Sequence, residues 1–238
     1  MTNHEQSSRV AVITGASLGL GAALARELDR RGWVLVLDAR DAARLAESAQ
    51  GLAHAHPIPG DVTDARHRAA LAARAAELGG ASLLVNNASS LGASPQPTVA
   101  DLAPEVLEDV FRTNLHAPVE LVRALLPQLR GTRGTVLNVS SDASVEGYPG
   151  WGAYGASKAA LDQVSRVLAA EEPRLRVYAV DPGDMRTRMH QDAFPGEDIS
   201  DRPPPEDVVP HLVALLASDL PSGRYRAAEI PVPAGVGR

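Results

Sequence analysis

The segment from Val10 to Arg31 constrains the fold more than any other. Val10-Ala-Val-Ile-Thr14 is a short β-rich apolar run, Gly15-Ala-Ser-Leu-Gly-Leu-Gly21 follows at once, and Ala22 to Arg31 has helical composition that stops at Gly32. A strand, a glycine turn and a helix in that order put side-chain-free backbone where it can approach a pyrophosphate, with helix N-terminal amides aimed at it. The spacing is Gly-x-x-x-Gly-x-Gly, not the more common Gly-x-Gly-x-x-Gly, and a glycine turn of this kind also occurs without a ligand.

The same alternation runs on through the chain. Trp33 to Asp38 is a second continuous apolar run, Asp41 to Gln50 a helix, Ala53 to Ile58 a weaker strand, and Asp64 to Leu78 an Ala/Arg-rich helix closed by Gly79-Gly80. Ser82 to Asn86 reads as a strand, Ala88 to Thr98 as a loop, Pro104 to about Leu129 as a long helical region, and Thr135 to Val139 as a strand. A helix that contains Tyr154 and a strand from Arg176 to Val180 follow; a final edge strand is expected within the proline-interrupted Ala227–Arg238. Apolar runs without alternation are strands buried on both faces, and β–α alternation implies a parallel sheet with helices on both sides. The expectation is a single α/β domain over residues 1–238, a doubly wound, Rossmann-type parallel sheet, with a loop at about 184–205 covering a substrate.

With 238 residues, 45% of them hydrophobic and 22% charged, the chain can bury one substantial core. A net charge of −6 and the lack of any Lys/Arg cluster speak against nucleic acid and an anionic membrane surface as partners. There is no cysteine, which excludes disulfides, thiolate zinc sites, iron–sulfur clusters and a cysteine nucleophile. The polar N-terminus leads into an apolar run too short for a signal peptide or a membrane span, so the cytoplasm is the expected location.

Tyr154-Gly-Ala-Ser-Lys158 places a phenol and an ammonium at i and i+4, on one face of a helix. Among 23 basic residues, Lys158 is the only lysine. A compact ammonium near a phenol stabilises the phenolate and draws the tyrosine pKa down from about 10 toward neutrality. The same spacing also arises by chance on surface helices.

Further candidates sit where strands end, since the carboxyl ends of parallel strands form the ligand crevice of an open α/β sheet. Asn86-Asn87-Ala88 closes the fourth strand, where the asparagines can also serve only to satisfy exposed backbone groups. Ser140 and Ser141 close the fifth strand, and a hydroxyl there can hydrogen-bond a substrate carbonyl beside the phenol. Pro182-Gly183 breaks the sixth. Asn114 lies inside the long helical region, where asparagine is an indifferent helix former and a local cap or bend is the plain reading. The seven histidines show no metal-ligand spacing, with only His190 placed in a possible substrate loop, and there is no Gly-x-Ser-x-Gly elbow for a serine hydrolase. No metal is expected.

Taken in order, Thr14-Gly15-x-x-x-Gly19-x-Gly21, Asp61-Val62, Asn86-Asn87-Ala88, Asn114, Ser141, Tyr154-x-x-x-Lys158 and Pro182-Gly183-x-x-x-Thr187 resemble the short, single-domain branch of the short-chain dehydrogenase/reductase family. The resemblance implies hydride transfer between a nicotinamide and a carbonyl or secondary alcohol. Tyr154 would be the general acid/base, Lys158 would lower its pKa and hold the nicotinamide ribose, Ser141 would orient the carbonyl, and Asn114 would anchor a water linking Lys158 to solvent. Gly15, Ser17, Leu18, Gly19, Leu20, Asn87, Ala88, Pro182 and Gly183 would line the cofactor, Asp61 and Val62 its adenine, and Thr187 its carboxamide. Ser89 stands where the family usually has glycine, and the tail lacks the usual Asp-Gly-Gly. The alternative is a non-catalytic nucleotide sensor on the same fold, since fold alone does not fix function. Such sensors tend to lose the Tyr/Lys pair, which is present here.

NADP(H) is favoured over NAD(H). Counted from Gly21, the family's ribose-reading acid falls on Ala39 and the arginine of its NADP-preferring members on Arg40, so Asp38 is expected to face away from the ribose. A homodimer or homotetramer is expected through the helices around Pro104–Leu129 and Ala153–Glu171, where Ala156, Ala159, Ala160, Val164 and Val167 could cover more than one face.

Overall fold

The computed structural model describes residues 9–233. Its strands are β1 (Val10–Ile13), β2 (Val34–Ala39), β3 (Ala55–Pro59), β4 (Ala81–Asn86), β5 (Thr135–Val139), β6 (Arg176–Asp181) and β7 (Gly223–Arg226). They form one sheet in the order β3-β2-β1-β4-β5-β6-β7, and every neighbouring pair is parallel. The order reverses direction between β1 and β4, which opens a crevice at the carboxyl ends of those two strands.

The helices are α1 (Gly19–Arg30), α2 (Ala42–Ala49), α3 (Ala65–Glu77), α4 (Pro104–Phe111), α5 (Ala117–Thr132), α6 (Gly152–Glu171), α7 (Arg188–Ala193) and α8 (Pro205–Ala217). Alternate residues of each strand enter two cores. Ala11, Ile13, Leu35, Leu37, Leu83 and Val85 meet Leu24 and Leu28 of α1 and Leu212 and Leu215 of α8 on one side. Val10, Val12, Val36, Leu84 and Val136 meet Leu71 of α3 and Leu121, Leu125 and Leu129 of α5 on the other, with Leu168 of α6 packed against them. Both faces of the sheet are covered over its central strands, which therefore carry no exposed polar face.

Three features depart from the sequence reading. The long helical region is α4 and α5 joined by a π-helical turn, Arg112–His116, with Asn114 buried within it. The last strand lies at Gly223–Arg226, ahead of Ala227–Arg238; Ala227–Glu229 is a 3₁₀ turn, and residues 234–238 fall outside the described residues. β7 borders only β6, so its Gly-Arg-Tyr-Arg sequence needs no continuous apolar run. α8 went unassigned because prolines precede and enter it, yet Pro205 occupies the first turn, where a missing N–H costs nothing.

Candidate active site

The glycine turn is held from both sides. Gly15 and Gly19 have φ of +64° and +56°, the left-handed region open to glycine, and a Cβ on Gly21 would lie 2.4 Å from the Gly15 carbonyl oxygen. Asn87 Nδ2 donates to the carbonyls of Thr14 and Gly15 at 2.9 and 3.0 Å, while the amides of Asn87 and Ala88 both donate to Thr14 Oγ1 at 3.0 Å. Asn87 thus locks the end of β4 to the turn after β1. Leu18 stands at the N-terminus of α1 without a side-chain cap, and the first turn carries no acidic residue. Uncapped amides beside a bare backbone cradle suit an anionic diphosphate.

At the end of β2, Asp38 is buried and its Oδ1 lies 2.5 Å from His67 Nε2 on α3. Burial raises the Asp38 carboxyl pKa, against the opposing effects of His67 and the Gly15 amide. Asp38 therefore points inward, and Arg40 is exposed. Asp61 caps its own turn by accepting from Thr63 N at 2.8 Å. Burial alone would lift its pKa, but hydrogen bonds from Thr63 and the charges of Arg40 and His67 carry it below the usual value. Val62 is buried beside it.

Asn114 gathers the catalytic end of the crevice. Its Oδ1 accepts from Ser90 N at 2.8 Å and Ser89 Oγ at 3.2 Å, and its Nδ2 donates to Ser90 O at 2.9 Å and Ser157 Oγ at 3.0 Å. A π turn inserts one residue into the helical register, which rotates a side chain out of the ordinary helical row. Here it aims Asn114 into the protein.

Tyr154 and Lys158 share one face of α6, and both are buried. Lys158 Nζ donates to Val139 O at 2.7 Å and lies 5.5 Å from the centroid of the Tyr154 ring. Desolvation pulls the ammonium down to about 8, against the attraction of Asp162 one turn further along α6. The phenol behaves contrary to the sequence argument. Burial pushes it up to about 12, and the neighbouring Ser141 and Ser89 hydroxyls offset that only in part, while Asp142 and Asp181 add to the rise. In a site this dry, loss of water outweighs the nearby lysine. At neutral pH the phenol is an acid that keeps its proton.

Ser141 begins a 3₁₀ turn, Asp142–Ser144, after β5; its Oγ accepts from Ala143 N at 3.2 Å and donates to Asp142 Oδ1 at 3.0 Å. Its backbone is fixed from the sheet edge, because Arg224 of β7 donates from Nη2 to Ser141 O at 2.9 Å and from Nε to Asp162 Oδ2 at 3.0 Å. Pro182-Gly183 turns the chain after β6, with Gly183 N donating to Asp181 Oδ1 at 3.0 Å. Thr187 caps α7 by accepting from His190 N at 3.2 Å, and its Cγ2 is the nearest atom to a Cβ built on Gly19, at 3.4 Å. The glycine turn and the loop after β6 thus approach each other.

The structure brings Asn114, Ser141, Tyr154 and Lys158 to one end of the crevice and the glycine turn, Arg40 and Asp61 to the other. Sequence reasoning missed Ser89, whose hydroxyl reaches both Tyr154 and Asn114, and Ser157, whose hydroxyl links Asn114 to the Tyr154 carbonyl at 2.7 Å. Ser89 registered only as a departure from glycine, although its place just past β4 was the available signal.

An open parallel sheet with a glycine turn at its reversal point, and a buried Tyr/Lys pair at the ends of its next strands, defines a dinucleotide-fold α/β oxidoreductase. The short chain dehydrogenase family model matches residues 9–198, and the chain belongs to the short-chain dehydrogenase/reductase family. It is 32% identical over 229 residues to an uncharacterized oxidoreductase of Escherichia coli K12, covering 90% of this chain and 88% of that one. It is 35% identical over 204 residues to sepiapterin reductase of Xenopus laevis, covering 77% and 76%. A crystal structure of a short chain dehydrogenase from Shigella flexneri complexed with NADP superposes with a TM-score of 0.86 at 30% identity, covering 94% of this chain and 100% of the other.

Proposed function

We propose that this protein is an NAD(P)(H)-dependent oxidoreductase that interconverts a carbonyl and a secondary alcohol, with Tyr154 as the general acid/base. The observation that carries the reading is the buried Tyr154 phenol, with the Ser141 and Ser89 hydroxyls beside it and Lys158 one turn along the same helix, its Nζ 5.5 Å from the ring centroid. Reducing a carbonyl requires a hydride at carbon and a proton at oxygen. When bound, the nicotinamide supplies the hydride; the protein's part is the proton and the alignment.

Tyr154 gives its proton to the developing alkoxide, and the cationic Lys158 stabilises the phenolate left behind. Ser141 and Ser89 share the role of holding the phenol and the substrate oxygen in line, and Asn114 fixes Ser89 and Ser157 around them. The alcohol-to-ketone direction uses the same groups in reverse and requires the phenolate. A phenol held near 12 is in the state from which the reductive direction starts.

Gly15, Ser17, Leu18, Gly19 and Leu20 would hold the diphosphate, Asp61 and Val62 the adenine, Asn87, Ala88, Pro182, Gly183 and Thr187 the nicotinamide half, and Tyr154 and Lys158 the ribose beside it. Arg40 would take a 2′-phosphate, which favours NADP(H); the NADP complex of the Shigella relative is in keeping with this. The segment 184–205 would cover the substrate. Two copies would pair through α4, α5 and α6, where Leu107, Val119 and Val167 are 37%, 37% and 45% exposed, a cleft of about 410 Å³ opens among Arg112, Leu115, His116, Val119 and Val164, and one of about 460 Å³ among Leu107, Phe111, Arg112 and His116.

The reading is tested by offering a panel of ketones and aldehydes with NADPH and with NADH and following nicotinamide absorbance. Carbonyl-dependent oxidation of the dinucleotide is the expected result; none across a broad panel, despite saturable dinucleotide binding, would favour the sensor reading.

A further inference from the structure

We propose that the site selects planar aryl ketones that carry no carboxylate; this rests on the carbonyl-reducing reading above. The chain contains only 2 tryptophans, 4 tyrosines and 2 phenylalanines, and half of these rings form one continuous cluster over the phenol. Trp151 meets Tyr154 edge to face with centroids 5.4 Å apart, Tyr148 packs on Trp151 at 6.4 Å, and Phe194 lies 5.8 Å from Trp151. His190 extends the row, 4.9 Å from Phe194. These separations are those of attractive aromatic pairs.

The cluster draws on segments far apart in sequence: the turn after β5, the start of α6 and the end of α7. Ser94 Oγ donates to Asp192 O at 2.5 Å, which fastens α7 to the loop after β4 and holds Phe194 and His190 in place. A cluster that only pinned these segments together would bury its rings, as the sheet does with Tyr178, which is 0% exposed against Tyr225. Instead Trp151 and Phe194 remain half-buried and Tyr148 is exposed, with only His190 largely covered, beside the one phenol suited to proton transfer. Ring faces left open next to a reactive hydroxyl offer a stacking surface for a second planar group.

Charge narrows the class further. Asp142 accepts from Tyr148 Oη at 2.9 Å, and Asp142, Glu146 and Asp184 all act to raise the Tyr148 phenol, so the mouth is negative. The arginines of the covering segment are already engaged. Arg188 pairs with Asp192, Arg202 pairs with Asp184 and Asp201, and Arg186 donates to Ser200 O. A substrate carboxylate would meet the carboxylates of Asp142, Glu146 and Asp184 there, which disfavours it against a neutral ring.

The test uses acetophenone, cyclohexyl methyl ketone and benzoylformate, which separate the aryl ring and the carboxylate from the carbonyl. Trp33→Phe leaves Trp151 as the sole tryptophan, so binding is read as saturable quenching of its fluorescence, independently of turnover. Acetophenone is expected to bind about tenfold tighter than either comparator, with kcat/KM under NADPH in the same order. Phe194→Leu should bring acetophenone and its cyclohexyl analogue to near parity in both quenching and kcat/KM, and Trp151→Leu should do so in kcat/KM, while NADPH affinity stays unchanged. Equal or tighter binding of the cyclohexyl ketone or of benzoylformate would overturn the proposal. Selective acetophenone binding without turnover would sink the hydride-transfer reading and keep the aryl site; turnover with no aryl preference would do the reverse.

Discussion

Asn114 Nδ2 donates to Ser157 Oγ at 3.0 Å, and that hydroxyl donates in turn to the Tyr154 carbonyl at 2.7 Å, so a residue of the π turn is coupled to the helix that carries the phenol. Asn114 uses both ends of its amide, reaching Ser89 and Ser90 as well. The arrangement costs a regular helical turn and fixes the loop after β4 against α6.

Asn114→Ala should therefore damage both stability and rate. It leaves several buried donors and acceptors unpaired, at about 2–3 kcal/mol, which for a chain of this size lowers Tm by about 5–10 °C. Thermal unfolding reads this directly. An unchanged Tm would mean that the π turn is held by packing alone.

Lys158 gives the protein a pH signature. Its ammonium has a pKa of about 8 in the folded protein against 10.5 when exposed, so below about 8 the fold bears the full cost of a buried cation, and that cost is relieved as pH rises from about 8 to 10.5. Denaturant titrations should show this gain, on the order of 2–3 kcal/mol, in the parent and not in Lys158→Met. Carbonyl reduction should move oppositely, falling as pH rises through about 8 and Lys158 loses the charge that supports the phenolate. A rate that stays flat to pH 10 would remove Lys158 from the proton step.

Cofactor choice should turn on Arg40. With Asp38 committed to His67 inside the protein, Arg40 is the proposed reader of the ribose, and NADPH should then bind more tightly than NADH by about 1–3 kcal/mol. Arg40→Ala should erase most of that difference in a fluorescence titration. Tighter binding of NADH by the parent would return the ribose contact to Asp38.

Light scattering at micromolar concentration should find a dimer or tetramer. Val119→Glu together with Val167→Glu, placing charge on exposed apolar positions of α5 and α6, should shift it to monomer. A parent that is monomeric at that concentration would remove the proposed interface.

The sheet was legible because β1, β2 and β4 to β6 are buried on both faces and so appear as unbroken apolar runs between helices. β7 escaped notice because an edge strand is relieved of that requirement, and Arg224 there works instead as a tie to Ser141 and Asp162. Tyr154, Lys158, Ser141 and Asn114 were found by residue type and order. What spacing could not convey is solvation. The lysine was expected to bring the phenol toward neutrality, but the strand ends and Trp151 enclose both groups, and burial decides the sign for each. The aromatic cluster was equally hidden, since Phe194 reaches Trp151 only through the tertiary fold, across more than forty residues of sequence.

The central claim is that the Tyr154 hydroxyl moves the proton, and Tyr154→Phe tests it most directly. Phenylalanine keeps the ring and its contact with Trp151 while removing only the hydroxyl, so the fold should be retained and NADPH should bind weaker by no more than the one ribose hydrogen bond, about 1 kcal/mol. Single-turnover carbonyl reduction should fall by about 10²–10⁴-fold. A variant that reduces the same carbonyl at the parent rate would contradict the account.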